Sequence, residues 1–304
     1  MAKEYVGDKA IQPLEAQMNA LCHKRGYDFD TAFKGLLDYL IWLFDPEGNM
    51  PDGWRFDSED AQAFFEMSRT YADIMTTQLR KHEWYDAFGD LYMALHPGGG
   101  GKAQFFTPPD VAQVVAEVNL SGVDVSEAVG CDTPFGRRIV INDPACGSSR
   151  MLMAGAGVVV RKMQTELGWD EATVYARRPY VVAEDLDMNC VKMSAINIMM
   201  HGYFGECVCH NTLTEPEACH LGYFINEAMY PFPSGIPSIR KCNDPRRFCS
   251  TSLWAMKKRQ QTQESQQPAD RNKSEDVLPL GGKAAAPSTE PQKERQQPQQ
   301  LSLW

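Results

Sequence analysis

Over residues 14–95 the apolar positions recur at helical spacing. Phe33, Leu36, Leu37, Leu40 and Leu43 share one face, Asp30 is a candidate N-cap, and Asp45-Pro46-Glu47-Gly48 stops that helix. A second helix is predicted from Ser58, capped by Asp57 or Ser58, with Phe64, Phe65, Met67, Tyr71, Ile74 and Leu79 along it. A third covers residues 84–95, with Phe88, Leu91 and Tyr92 on one side. Pro97 and Gly98, Gly99, Gly100 and Gly101 break the pattern. Thr107 before Pro108, Pro109 and Asp110 then reads as a helix start, with Thr107 as N-cap and Val111, Val114, Val115 and Val118 as the buried stripe. The aromatic pair Phe105 and Phe106 just before it suits either a heterocycle or a hydrophobic staple onto Val111.

From residue 139 the period changes. Ile139, Val140 and Ile141 read as a strand, Asp143, Pro144, Ala145, Cys146, Gly147 and Ser148 as a tight turn, and Met151, Leu152, Ala154, Val158 and Met163 as the inner face of a helix. A strand, small-residue turn and helix is how a Rossmann-like sheet opens. Gly147 allows positive φ, and the helix N-terminus lets backbone N–H groups approach a ligand. The spacing is not Gly-x-Gly-x-x-Gly, so a dinucleotide is not the first expectation. An acid at Asp143 suits a cationic ligand, and S-adenosylmethionine fits; a turn without a ligand is the alternative. A second strand over residues 180–183 ends in Glu184 and Asp185, where nucleoside-binding sheets present a carboxylate to ribose hydroxyls. Asp187 caps the helix carrying Val191, Ala195, Ile198 and Met199. A third strand over residues 206–210 leads to Asn211, placed either to read an adenine amine or to make a turn. Residues 222–254 show no repeated pattern.

Composition narrows the setting. With 304 residues, 43% of them hydrophobic, the chain can bury a sizeable core plus a smaller domain. No apolar run approaches the ~20 residues needed to span a bilayer, and no signal peptide opens the chain, so a cytoplasmic location without membrane association is expected. Nine cysteines without framework spacing point to reduced thiols. Cys207 and Cys209 alternate as a strand would, and no second zinc-type pair follows, so no metal is expected. A net charge of −10 disfavours an unaided grip on DNA; the dense basic region is Arg240, Lys241, Arg246, Arg247, Lys257, Lys258 and Arg259. Beyond residue 256 Gln, Pro, Lys, Glu and Ser dominate, the composition of a disordered tail.

Together QFFTP (residues 104–108), NDPACGSS (142–149), AEDLDMNCVKMSAINIMMHG (183–202) and HNTL (210–213) resemble the N6-adenine DNA methyltransferases, most of all the modification subunits of type I restriction systems. FGDLYMAL (88–95) is similar to the segment that ends that family's helical N-terminal domain. The resemblance implies an α/β fold: a helical domain over residues 1–97, a Rossmann-like S-adenosylmethionine-binding core over 98–256 with an incomplete sheet, and a disordered tail over 257–304. It places Phe106 and Thr107 over the methionine end of S-adenosylmethionine and Asp143 at its amino group. Pro144, Ala145, Cys146, Gly147 and Ser148 would line it, Asp185 with Glu184 would take the ribose, and Asn211 the adenine. The implied reaction is methyl transfer to adenine N6 in DNA. The family's Asn/Asp-Pro-Pro-Tyr/Phe tetrapeptide, which holds the flipped base, occurs nowhere in this chain, so no catalytic residue is assigned. That leaves DNA contact through a partner subunit, or a role as a non-catalytic binding module. QLSLW, with Gln300, Leu301, Leu303 and Trp304, is similar to peptides that dock on the bacterial sliding clamp, a further expected partner.

Overall fold

The computed structural model describes residues 9–95, 106–128, 139–212, 221–227, 236–244, 247–248 and 300–302. Four helices come first: α1 (Gln12–Arg25), α2 (Phe29–Leu43), α3 (Ser58–Leu79) and α4 (Ala87–Leu95). The cap of α2 is Asp28, whose carboxylate accepts from Thr31 N–H at 2.7 Å, and not Asp30, which lies inside the first turn. Asp57 caps α3 in a reciprocal box with Asp60.

Helix α5 (Pro109–Leu120) corrects the expected helix in two ways. Its N-cap position is Pro108, without a side-chain cap, so Thr107 is not the cap. Its buried face is Ala112, Ala116 and Leu120, while Val111, Val114 and Val118 are 48%, 61% and 70% exposed. The pattern favoured the larger residues, but α5 packs against α6 (Arg150–Glu166), which carries the small residues Ala154, Gly155, Ala156 and Gly157. Small residues on both sides let the backbones come close.

The sheet is formed by β1 (Val140–Asp143), β2 (Tyr180–Asp185), β3 (Phe204–Cys209), β4 (Leu221–Ile225), β5 (Ile239–Cys242) and β6 (Gln300–Ser302), in the order β5-β4-β3-β2-β1-β6. Strands β1, β2 and β3 are parallel, linked by α6, α7 (Glu171–Arg177) and α8 (Met188–Met200). Strands β4 and β5 continue antiparallel beyond β3, in the stretch that showed no pattern. β1 begins at Val140 and includes Asn142 and Asp143, so Asp143 is the last strand residue and not part of the turn. β3 begins at Phe204, two residues early.

Within the expected tail, Gln300–Ser302 forms β6: Val140 pairs with Gln300, Ile141 with Leu301 and Asn142 with Ser302, all parallel. Leu303 and Trp304 lie outside the described residues, as do 249–299, Gln104, Phe105 and the expected domain boundaries at 97 and 256. Among the described residues no helix is long and apolar enough to cross a membrane, and no group of His, Cys, Asp and Glu is arranged to hold a metal.

The amino-terminal helices and the sheet share one core. Phe33, Leu37, Phe64, Tyr71 and Phe88 are continuous with Ile141, Leu152, Val181, Ile196 and Cys207. A second apolar cluster, Val208, Phe224, Cys242 and Phe248, lies on the other face of the sheet. Polar ties reinforce the junction. Lys192 of α8 pairs with Asp38 of α2 in a buried contact, Tyr71 O–H donates to Asn197 Oδ1 at 3.3 Å, and Ile239 N–H donates to Phe44 C=O at 2.9 Å.

His201, just after α8, holds the segment entering α4. Its Nε2 accepts Tyr85 N–H at 3.1 Å while Nδ1 meets the Asn197 carbonyl at 2.6 Å, which fixes a neutral ring with the proton on Nδ1. Burial lowers its pKa from 6.5 to about 4. Between those values the unfolded chain takes up a proton that the folded one refuses, so this contribution is complete above pH 6.5 and is lost as pH falls toward 4. Urea unfolding between pH 7 and 4 should show a loss on the order of 3 kcal/mol that is missing in His201→Gln.

Candidate functional site

The carboxyl ends of β1 and β2 and the N-terminus of α6 converge, as they do in parallel sheets that bind ligands beyond their strand ends. The turn between β1 and α6 folds on itself through short bonds. Asp143 Oδ1 accepts from Ala145 N–H at 3.1 Å, and Ser149 N–H donates to the Cys146 carbonyl at 2.7 Å. Gly147 takes φ +55, and a Cβ there would stand 3.0 Å from the Phe106 ring, so glycine is needed for both conformation and space. Ser149 also adopts positive φ (68).

Asp185 fastens this turn to the second strand. Its Oδ2 accepts from Gly147 N–H at 2.9 Å and its Oδ1 from Asp187 N–H at 2.8 Å. Burial raises the Asp185 pKa above the ordinary aspartate value, and these backbone donors oppose the shift. With Leu186 N–H as a third backbone donor, the carboxylate still keeps acceptor capacity for a hydroxyl donor.

The backbone of Cys146 is tied to β2 by its N–H on the Glu184 carbonyl at 2.9 Å. Its thiol lies 3.2 Å from Ser194 Oγ, and burial pushes the thiol pKa well above the ordinary value, so Cys146 packs and is not a nucleophile. Ser194 Oγ also donates to the Gly147 carbonyl at 3.0 Å.

One expected residue has other surroundings. Glu184, the expected neighbour of Asp185 at the ribose, spends one oxygen on Asn142 Nδ2 (2.5 Å) and the other on His210 Nε2 (2.6 Å). It braces three strand ends, on the face opposite Asp185, because successive strand side chains alternate. Asn211 stands after β3, next to Thr212, whose hydroxyl donates to the Pro144 carbonyl at 3.2 Å.

Phe106 is half-buried against Tyr92, with ring centroids 5.4 Å apart, and against Gly147. It is not a staple onto Val111, which is exposed. Thr107 offers its carbonyl to Arg150 Nη1 at 3.0 Å.

The sequence reading passed over a buried polar group beneath the turn. Arg150, 3% exposed, donates through Nε to Asp86 Oδ2 at 2.9 Å and through Nη2 to Asp90 Oδ1 at 2.5 Å. Asp86 also accepts from Ser148 Oγ (2.5 Å), Gly89 N–H (2.8 Å) and Asn197 Nδ2 (2.9 Å), and Asn197 Nδ2 reaches the Ser148 carbonyl at 2.8 Å. The signal was present: an arginine among small and apolar residues at a helix start needs carboxylates to accompany it inward.

S-adenosylmethionine fits this arrangement. A Cβ at Gly147 would crowd the ring of Phe106 at 3.0 Å, the Asp185 carboxylate retains acceptor capacity at the strand tip, and the buried Ser149 Oγ at the start of α6 has no hydrogen-bond partner among the described residues. Asp185 would take ribose hydroxyls, Asp143 the amino group, and the turn backbone the remainder.

Two solved structures resemble the chain at low similarity. One is a Listeria monocytogenes protein described as a class I S-adenosylmethionine-dependent methyltransferase, with TM-score 0.33 and 14% identity, covering 65% of this chain and 52% of that one. The other is a type I restriction-modification system methyltransferase subunit of Streptococcus thermophilus, with TM-score 0.29 and 15% identity, covering 66% and 39%. This chain thus spans about half the length of the first and two fifths of the second. No curated protein matches it. Residues 83–228, which carry the turn, both strand-end acids and the Asp86–Arg150 group, match the N-6 DNA methylase family.

Proposed function

We propose that the chain holds S-adenosylmethionine for methyl transfer to adenine N6 in DNA, as part of a methyltransferase whose target-base contacts come from another polypeptide. The observation that carries this reading is the Asp185–Gly147 bond. It fixes a glycine turn against a strand-end carboxylate that still has acceptor capacity, in a segment that matches N-6 DNA methylases. The missing Asn/Asp-Pro-Pro-Tyr/Phe tetrapeptide is the reason for assigning the base contacts elsewhere. Without side-chain and carbonyl acceptors at the amine, the flipped base is not held in line with the methyl group. The −10 net charge supports the same division of labour, since a basic partner would supply phosphate contacts.

Titration calorimetry tests the cofactor site. S-adenosylmethionine should bind the unmutated chain, and Asp185→Ala should weaken binding by roughly 1.5–3 kcal/mol, or about ten- to a hundredfold in Kd; equal affinities would remove Asp185 from the site.

The pH dependence has a definite sign. Because burial raises the Asp185 pKa, the carboxylate is protonated above the ordinary aspartate range as pH falls, and it then loses acceptor capacity for hydroxyl and Gly147 N–H donors. Affinity should therefore drop in mildly acidic buffer, with that step gone in Asp185→Asn.

Methyl transfer is tested with tritiated S-adenosylmethionine and adenine-rich DNA. Label should enter DNA when co-expressed neighbouring gene products are present and not with the chain alone. Absence of label in every combination would leave a cofactor-binding module without transferase activity.

A further inference from the structure

We propose that Arg150 is a positioning residue for the cofactor turn, a latch by which the amino-terminal helices hold Phe106 and Thr107 against Gly147. The proposal rests on reading that turn as the S-adenosylmethionine site. Three directions of one guanidinium are used on two separate pieces of chain: Nε on Asp86 and Nη2 on Asp90, just before and inside α4, and Nη1 on the carbonyl of Thr107 before α5.

The Thr107 contact matters because Pro108 and Pro109 follow it. Neither has an N–H, so this strap has fewer backbone donors with which to fix itself. Phe106 is carried by the same strap, and its ring lies 3.0 Å from where a Gly147 Cβ would stand. The far side of the latch reaches the turn as well, through Asp86 to Ser148 Oγ and through Asn197 to the Ser148 carbonyl. Arg150 thus faces the strap on one side, while Asp86 grips the turn on the other. Lysine cannot reproduce this, since an ammonium on a flexible stem lacks the planar fork that meets two carboxylates and a carbonyl together.

The test uses the full chain with Arg150→Lys and with the charge-balanced double variant Arg150→Met/Asp90→Asn, which avoids leaving both carboxylates buried opposite an apolar side chain. Amide hydrogen exchange at Phe106 and Thr107 is measured beside exchange at Val181, Val182 and Ala183, together with the calorimetric Kd for S-adenosylmethionine. The latch requires exchange at 106–107 to rise about tenfold or more while the β2 amides keep their protection, with Kd weakened by about tenfold. Retained protection at 106–107 with unchanged Kd overturns it. So does a uniform rise in exchange that includes β2, which would make the group a support of the whole fold only. If the unmutated chain binds no S-adenosylmethionine, the cofactor reading fails, and a selective rise at 106–107 still establishes that Arg150 holds the strap.

Discussion

A guanidinium with 3% exposure is the constraint on which the arrangement depends. Desolvating that charge costs several kcal/mol unless carboxylates and carbonyls replace the water around it. The replacements lie in the amino-terminal helical layer and the strap, so the buried start of α6 depends on α4 being against it. Such a group adds little net stability compared with an apolar equivalent, but it tolerates few alternative geometries. The helical layer and the turn at Gly147 are therefore tied through the same buried group. His201 on Tyr85 and Lys192 on Asp38 repeat the principle at two other points of the same junction.

Much of the fold was legible because period and punctuation agree. The capped start of α3, the strand-turn-helix around Gly147 and the acids ending β2 each follow from local chemistry that tertiary contacts do not override. Helix α5 was misread because packing density, and not residue size, decides which face is buried. Its alanines turn inward toward α6, while Val111, Val114 and Val118 are left outside and Val115 is partly buried. Strands β4 and β5 escaped notice because mixed aromatic and basic residues hide a period of two; Arg240, for instance, lies over the ring of Phe224 on the neighbouring strand.

The candidate site was legible where a residue acts through its own local geometry and illegible where it acts through distant partners. Asp185 and Gly147 could be named from position alone, and a 2.9 Å bond joins them. Glu184 could not be told from Asp185 by sequence, since adjacent acids at a strand end differ only in which face they point to, and that is set by register. Asp86, Asp90 and Asn197 are separated in sequence from the turn they support, and nothing local distinguishes an acid destined for a buried ion pair from one destined for solvent.

β1 has an interior strand's burial, with Ile141, Asn142 and Asp143 all shielded, yet its outer neighbour is only the three-residue β6, joined to it across a very long stretch of chain. Closing so long a loop costs more entropy than pairing β1 with β2, and three residues of ladder return little against it. β6 is therefore the strand of this sheet whose pairing costs most chain entropy for the fewest ladder bonds, and without it the outer N–H and C=O groups of β1 form an open sheet edge.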